Sequence, residues 1–153
     1  MWRVVCQQFG DPEGLVVEGA PDPDVGPGTV LVDVRASAVN FVDALLVQGR
    51  YQIKPPLPFT PGMEVAGIVA AVGDGVTAFA VGDPVLATPM LGGYADRALV
   101  PAQNVLPMPN GLTFGQAAAF LQSYATMFYA RLRDRRPQGT GARAGRRVGR
   151  HRG

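Results

Sequence analysis

At 153 residues the chain is long enough for one ordinary domain with a buried core and too short for two sizeable ones. The single cysteine, Cys6, excludes an internal disulfide framework and a multi-cysteine zinc site, and no apolar run approaches the roughly 18 residues of a membrane span. A net charge of +2 hides a division: residues 1–134 carry 7 basic and 12 acidic side chains, a net of −5, while residues 135–153 hold seven arginines and no acid.

The N-terminus lacks the basic, apolar and small-residue succession of an export signal, so a cytoplasmic protein without membrane attachment is expected. The first hundred residues predict β structure, because short Val-rich runs alternate with Gly, Pro and Asp. "WRVVCQQF" and "LVVEGA" read as a first pair of strands. In "TVLVDVRASAV", Val30, Val32 and Val34 alternate with Leu31, Asp33 and Arg35, which makes one face apolar and the other partly polar. "NFVDALLVQGRY" changes period: Phe41, Leu45 and Leu46 have helical spacing and Gly49 is placed to end a short helix.

The proline density of "PPLPFTPG" predicts an extended connector. Strands resume in "EVAGIVAAVG", "DPVLAT", "GGYADRALV" and "NVLPM", joined by Gly-Asp and Asn-Gly turns, and short strands with sharp connections predict a barrel-like fold. From Thr113 the composition turns alanine-rich and helical, with Thr113 as N-cap and Gln116 in capping-box position. Ala117, Phe120, Leu121, Tyr124 and Phe128 fall on one broad apolar face of this helix over 113–134. Residues 135–153 contain one Val and no aromatic side chain, so an Arg/Gly-rich disordered tail is expected there.

"PGMEVAGIVAAVGDGVTAFAVGDPV" carries a specific pattern. Val72, Gly73, Val76, Phe79, Gly82, Asp83 and Val85 stand in the register of the Val-Gly-x-x-Val-x-x-Phe-x-x-Gly-Asp-x-Val element. The stretch resembles the medium-chain dehydrogenase/reductase superfamily, whose N-terminal domain is a GroES-like, partly open β-barrel, and the resemblance extends from residue 1 to about 133. The matched residues each have a physical use, since the glycines permit tight turns or close backbone approach, Asp83 bonds its own turn, and Val and Phe fill the barrel. Zinc-dependent members place a catalytic Cys near the end of the third strand and a His in a Gly-His-Glu element. This sequence has Asn40 in the first region and Met63 in place of the His, so no metal is expected.

"NFVDALLVQGRY" is similar to the zinc-independent quinone oxidoreductase, or zeta-crystallin-like, branch. That resemblance implies hydride transfer from NADPH to a quinone or enone, in a full-length protein that forms a homodimer. It implies Asn40 and Tyr51 as catalytic residues, and Asn40 and Thr126 as cofactor-binding ones. Plainer roles stand beside these: Asn40 as a helix cap, Tyr51 as a surface turn aromatic, Thr126 bonded back to a carbonyl one turn earlier. Glu64 reads as a structural hydrogen-bonding partner at the cleft floor.

The resemblance also implies a following Rossmann domain with a glycine-rich pyrophosphate turn. "RRPQGTGARAGRRVGRHRG" has no strand before its glycines, so the sequence predicts domains at 1–112 and a helix at 113–134, with that Rossmann domain absent. As a hypothesis, the GC-rich codons of Arg, Gly, Pro and Ala point to an out-of-frame reading over 135–153. The coding DNA tests it, and absence of a downstream Rossmann-type frame would sink it. Two other classes compete: a barrel that serves as a non-catalytic binding or assembly module, and weak nucleic-acid binding through the arginines. No aromatic residue interleaves with those arginines, so specific nucleic-acid recognition is not expected.

Overall fold

A computed structural model describes residues 1–134; residues 135–153, where the tail is expected, lie outside the described residues. Strands β1 (Trp2–Val5) and β2 (Val16–Gly19) form an antiparallel pair, as the Val-rich runs predict. A second, five-stranded antiparallel sheet has the order β6-β3-β4-β5-β7, with β3 at Thr29–Ser37, β4 at Val65–Val72, β5 at Pro84–Ala87, β6 at Arg97–Pro101 and β7 at Val105–Pro107. Its edge strands β6 and β7 are joined by a single 3-10 turn, Ala102–Asn104. Two edges of a five-stranded sheet meet across so short a link only if the sheet curls round, which gives the partly open barrel.

The interior confirms the curl. Val30 and Val32 of β3, Val65 and Val69 of β4, Val85 and Ala87 of β5, Ala98 and Val100 of β6 and Val105 of β7 form one buried cluster, so both edges contribute to the same core. Inward positions alternate along each strand, which is why the Val spacing was legible. A register shift between Val34 and Ala36 breaks the alternation in β3. Beyond this bulge Ala36 belongs to a different cluster, with Ala66, Leu86, Ala117 and Ala118 on the far side of the sheet.

That second cluster seats the C-terminal helical region. Helix α1 (Phe41–Val47) follows β3, and α2 (Phe114–Ala118) packs over β3, β4 and β5. Thr113 caps α2 as expected: its Oγ1 accepts the Gln116 N–H at 3.3 Å, and Gln116 Oε1 accepts the Thr113 N–H at 2.9 Å. The helical stretch over 113–134 is regular at both ends and underwound between them. A π-type turn at Leu121–Ala125 separates α2 from α3 (Thr126–Asp134). Ala117 is buried, but Phe120, Tyr124 and Phe128 of the expected apolar face are 37%, 55% and 66% exposed, so the described residues leave most of that face uncovered.

The connector before β4 is extended, and it is tied to the end of β1 by the Cys6–Phe59 pair. The Cys6 N–H donates to the Phe59 carbonyl at 2.8 Å, and the Phe59 N–H donates back at 3.2 Å. Two glycines of the matched pattern divide the work foreseen for them. Gly82 has φ +98° in an open turn, where the Asp83 carboxylate accepts the Ala80 N–H at 2.8 Å. Gly73 has an ordinary φ, but a Cβ there would overlap the Gly26 carbonyl oxygen. Gly73→Ala therefore meets backbone that cannot rotate away and is expected to cost more than about 2 kcal/mol, whereas Gly82→Ala costs about 1 kcal/mol from its left-handed φ alone. Urea denaturation of the two variants checks the order; equal midpoints would contradict it.

Candidate functional site

The site is built where the end of β3, the start of β4 and the π-type turn converge. Asn40 occupies the N-cap of α1 with extended backbone, and Asp43 Oδ2 reaches back to accept the Asn40 N–H at 2.9 Å. The same oxygen accepts the Tyr94 hydroxyl at 3.0 Å, which ties α1 to the segment leading into β6. Asp43 is 2% exposed. Burial first, and then the Asp43 charge and hydrogen bond, push the Tyr94 phenol well above its ordinary pKa, so it remains a donor through the neutral range.

Glu64 is fully buried. Its Oε1 accepts two main-chain N–H groups from the π-type turn, from Leu121 at 2.5 Å and from Gln122 at 3.1 Å. In a regular α-helix those donors would bond to carbonyls four residues earlier; a carboxylate inserted into the ladder removes them and accounts for the underwound turn. Glu64 Oε2 and Asn40 Nδ2 are both buried without a hydrogen-bond partner among the described residues, one an acceptor and the other a donor. Burial pushes the Glu64 carboxyl up. The Gln122 and Leu121 N–H groups and the neighbouring Asn40 amide pull it back, and the Asp43 charge adds a smaller upward push.

A cleft of about 470 Å³ opens beside this cluster, lined by Met63, Thr88, Met90, Asn104, Leu121, Gln122 and Ala125 among others. Met63 is partly buried and packs with Tyr51 against the Cys6, Leu46, Val47 and Phe59 cluster. Tyr51 is thus half-buried packing, not a free surface aromatic. Thr126 is exposed at the first position of α3, directly after the cleft-lining Ala125. The structure brings Asn40 to Glu64 and sets Tyr51 beside Met63; Thr126 stands at the outer end of the same turn. Among the described residues no three His, Cys, Asp or Glu side chains gather as a metal site, and no helix is long and apolar enough to cross a membrane.

The alcohol dehydrogenase GroES-like domain matches residues 26–110. The chain belongs to that family. Among its relatives, the synaptic vesicle membrane protein VAT-1 homolog of Rattus norvegicus is 40% identical over 127 residues, 82% of this chain and 31% of the relative. The quinone oxidoreductase of Lama guanicoe is 40% identical over 136 residues, 86% of this chain and 41% of the relative. Among solved structures, the Escherichia coli quinone oxidoreductase complexed with NADPH superimposes with a TM-score of 0.79 at 31% identity, covering 86% of this chain and 40% of that one. Quinone oxidoreductases and VAT-1 homologs thus stand side by side among its relatives, and the chain spans well under half their length.

Several participants had escaped notice in the sequence. Asp43 had a local signal, an acid three residues after a capping Asn. Tyr94, Thr88 and Gln122 had none, because their neighbours come from distant parts of the chain. Glu64 yields a prediction. Its folded-state pKa is raised, so the folded chain holds the proton more tightly than the unfolded chain does. Its contribution to stability is therefore greatest below the ordinary carboxyl pKa and is lost as pH rises through the raised value. Relative to Glu64→Gln, the natural chain should lose urea resistance across that window; a gap that widens in its favour with rising pH is the contrary result.

Proposed function

We propose that residues 1–134 form the substrate-side domain of an NADPH-dependent, zinc-independent reductase of quinones or enones, and that the chain by itself does not turn over. The observation that carries this reading is the likeness to a quinone oxidoreductase crystallised with NADPH. The local chemistry supports it. Met63 offers a thioether, packed into an apolar cluster, where zinc chemistry needs an imidazole. The buried Asn40 amide is a donor beside Glu64 at the cap of α1, and a cleft of suitable size opens next to it at Met63.

The described residues fit the nicotinamide end of the cofactor and not its pyrophosphate, for which a glycine turn between a strand and a helix is needed and none occurs among them. When bound, NADPH supplies a hydride from its nicotinamide C4 to the conjugated system. The chain's part is positional and electrostatic. Asn40 holds the nicotinamide edge and, with the Tyr51 hydroxyl, donates hydrogen bonds to the substrate oxygen as negative charge develops there; solvent delivers the proton. Thr126, exposed at the start of α3, would help hold the nicotinamide. Substrate is a small quinone or enone, and the full-length assembly is a homodimer in the cytoplasm.

Two measurements test this. The chain alone, mixed with NADPH and 1,4-benzoquinone, should give no oxidation at 340 nm beyond the uncatalysed background. Fusing residues 1–134 to the remaining part of the Escherichia coli relative should restore turnover, and Asn40→Ala in that fusion should lower kcat/KM by about 10² to 10³, the size of one lost donor to a developing oxyanion. A folded fusion that binds NADPH and leaves the quinone unreduced would overturn the reading.

A further inference from the structure

We infer that Glu64 is a positioning residue: its buried Oε1, by taking the main-chain N–H groups of Leu121 and Gln122, sets the π-type turn and so fixes where Gln122 and Ala125 stand on the cleft wall and where α3 starts at Thr126. The inference presupposes that this cleft receives the nicotinamide end of NADPH. Three observations carry it. The two donors are consecutive, and they sit at the first two positions of the turn, Leu121–Ala125. Inside the turn the Tyr124 N–H donates to the Phe120 carbonyl at 3.1 Å, and regular α-helix resumes at Thr126, so the departure from regular winding begins where the carboxylate enters and ends within five residues. Leu121, Gln122 and Ala125 from this turn all line the cleft, opposite Met63, the residue that precedes Glu64.

Geometry makes the turn a lever. One residue of underwinding rotates everything that follows by about 100° relative to a regular α-helix, enough to move a side chain from one face to another. Without the carboxylate, Leu121 and Gln122 N–H can return to the carbonyls of Ala117 and Ala118, and the chain is then rewound so that Gln122 and Ala125 no longer meet the cleft as they do here. Glu64 itself touches neither substrate nor cofactor. Its neighbour Asn40 is the group proposed to do so, and the Asn40 amide acts on the Glu64 carboxyl, which puts the two in one polar unit.

Hydrogen exchange on the chain itself and kinetics in the fusion form the test. In Glu64→Leu, exchange at the Leu121 and Gln122 amides should change by about tenfold or more while Val32 and Val69 in the sheet keep their protection; Glu64→Gln, whose Oε1 still accepts, should restore the wild-type pattern at both amides. In the fusion, Glu64→Leu should raise the KM for NADPH about tenfold with a smaller change in kcat, and Glu64→Gln should restore it. Unchanged exchange at Leu121 and Gln122, or equal loss of protection throughout the sheet, overturns the inference, as does an unaltered KM in a Glu64→Leu fusion. If even the wild-type fusion is inactive, the functional reading fails separately, and the exchange pattern alone decides whether Glu64 sets the turn.

Discussion

A carboxylate with no exposed surface has to be solvated by the protein, and here the solvating groups are two main-chain N–H donors from a helix more than fifty residues away. Everything of interest around the cleft depends on that arrangement. It fastens the barrel to the helical region through a polar contact beside a cluster that is otherwise apolar, of alanines with Leu86 and Leu121. The helix responds with an irregular turn, and the side chains of that turn become cleft wall. The cost of desolvating Glu64 is visible in its raised pKa, which burial causes and the donors only partly offset.

A second network holds the start of α1. Asp43 closes the cap on α1 and anchors Tyr94, so the helix that begins at Asn40 is locked at its first turn. Both networks leave a polar atom over: Asn40 Nδ2 and Glu64 Oε2 in one, Asp43 Oδ1 in the other. Buried polar groups without partners are uncommon in folded domains, and they concentrate where a ligand completes the set. The Asn40 amide stands at the cap of a short helix, next to Glu64.

Much of the fold was legible because it obeys short periods. Val30 and Val32 announce an inward face, Thr113 and Gln116 announce a helix start, and the Gly-Asp turn at Gly82 and Asp83 announces a hairpin. The site was legible only through resemblance at Asn40, Tyr51 and Thr126, since nothing local distinguishes a cap from a donor or a packing tyrosine from a reacting one. Glu64 was legible as a structural hydrogen-bonding partner, but the clamp it forms was not. It joins residues 64 and 121, and the sequence around Leu121 reads as ordinary helix; only the tertiary contact overrides that propensity.

The bulge in β3 has a consequence for how the cleft is tuned. Past it, the strand presents Ala36 outward beside Ala66, and α2 answers with Ala117 and Ala118. Four small side chains form a seam whose thickness sets how deeply the helix lies on the sheet. Since α2 runs on into the turn that walls the cleft, the width of the opening is calibrated from beneath, by methyl groups that never meet a ligand. An added carbon at the seam would lift the helix against the pull of Glu64, so the clamp and the methyl groups set the opening together.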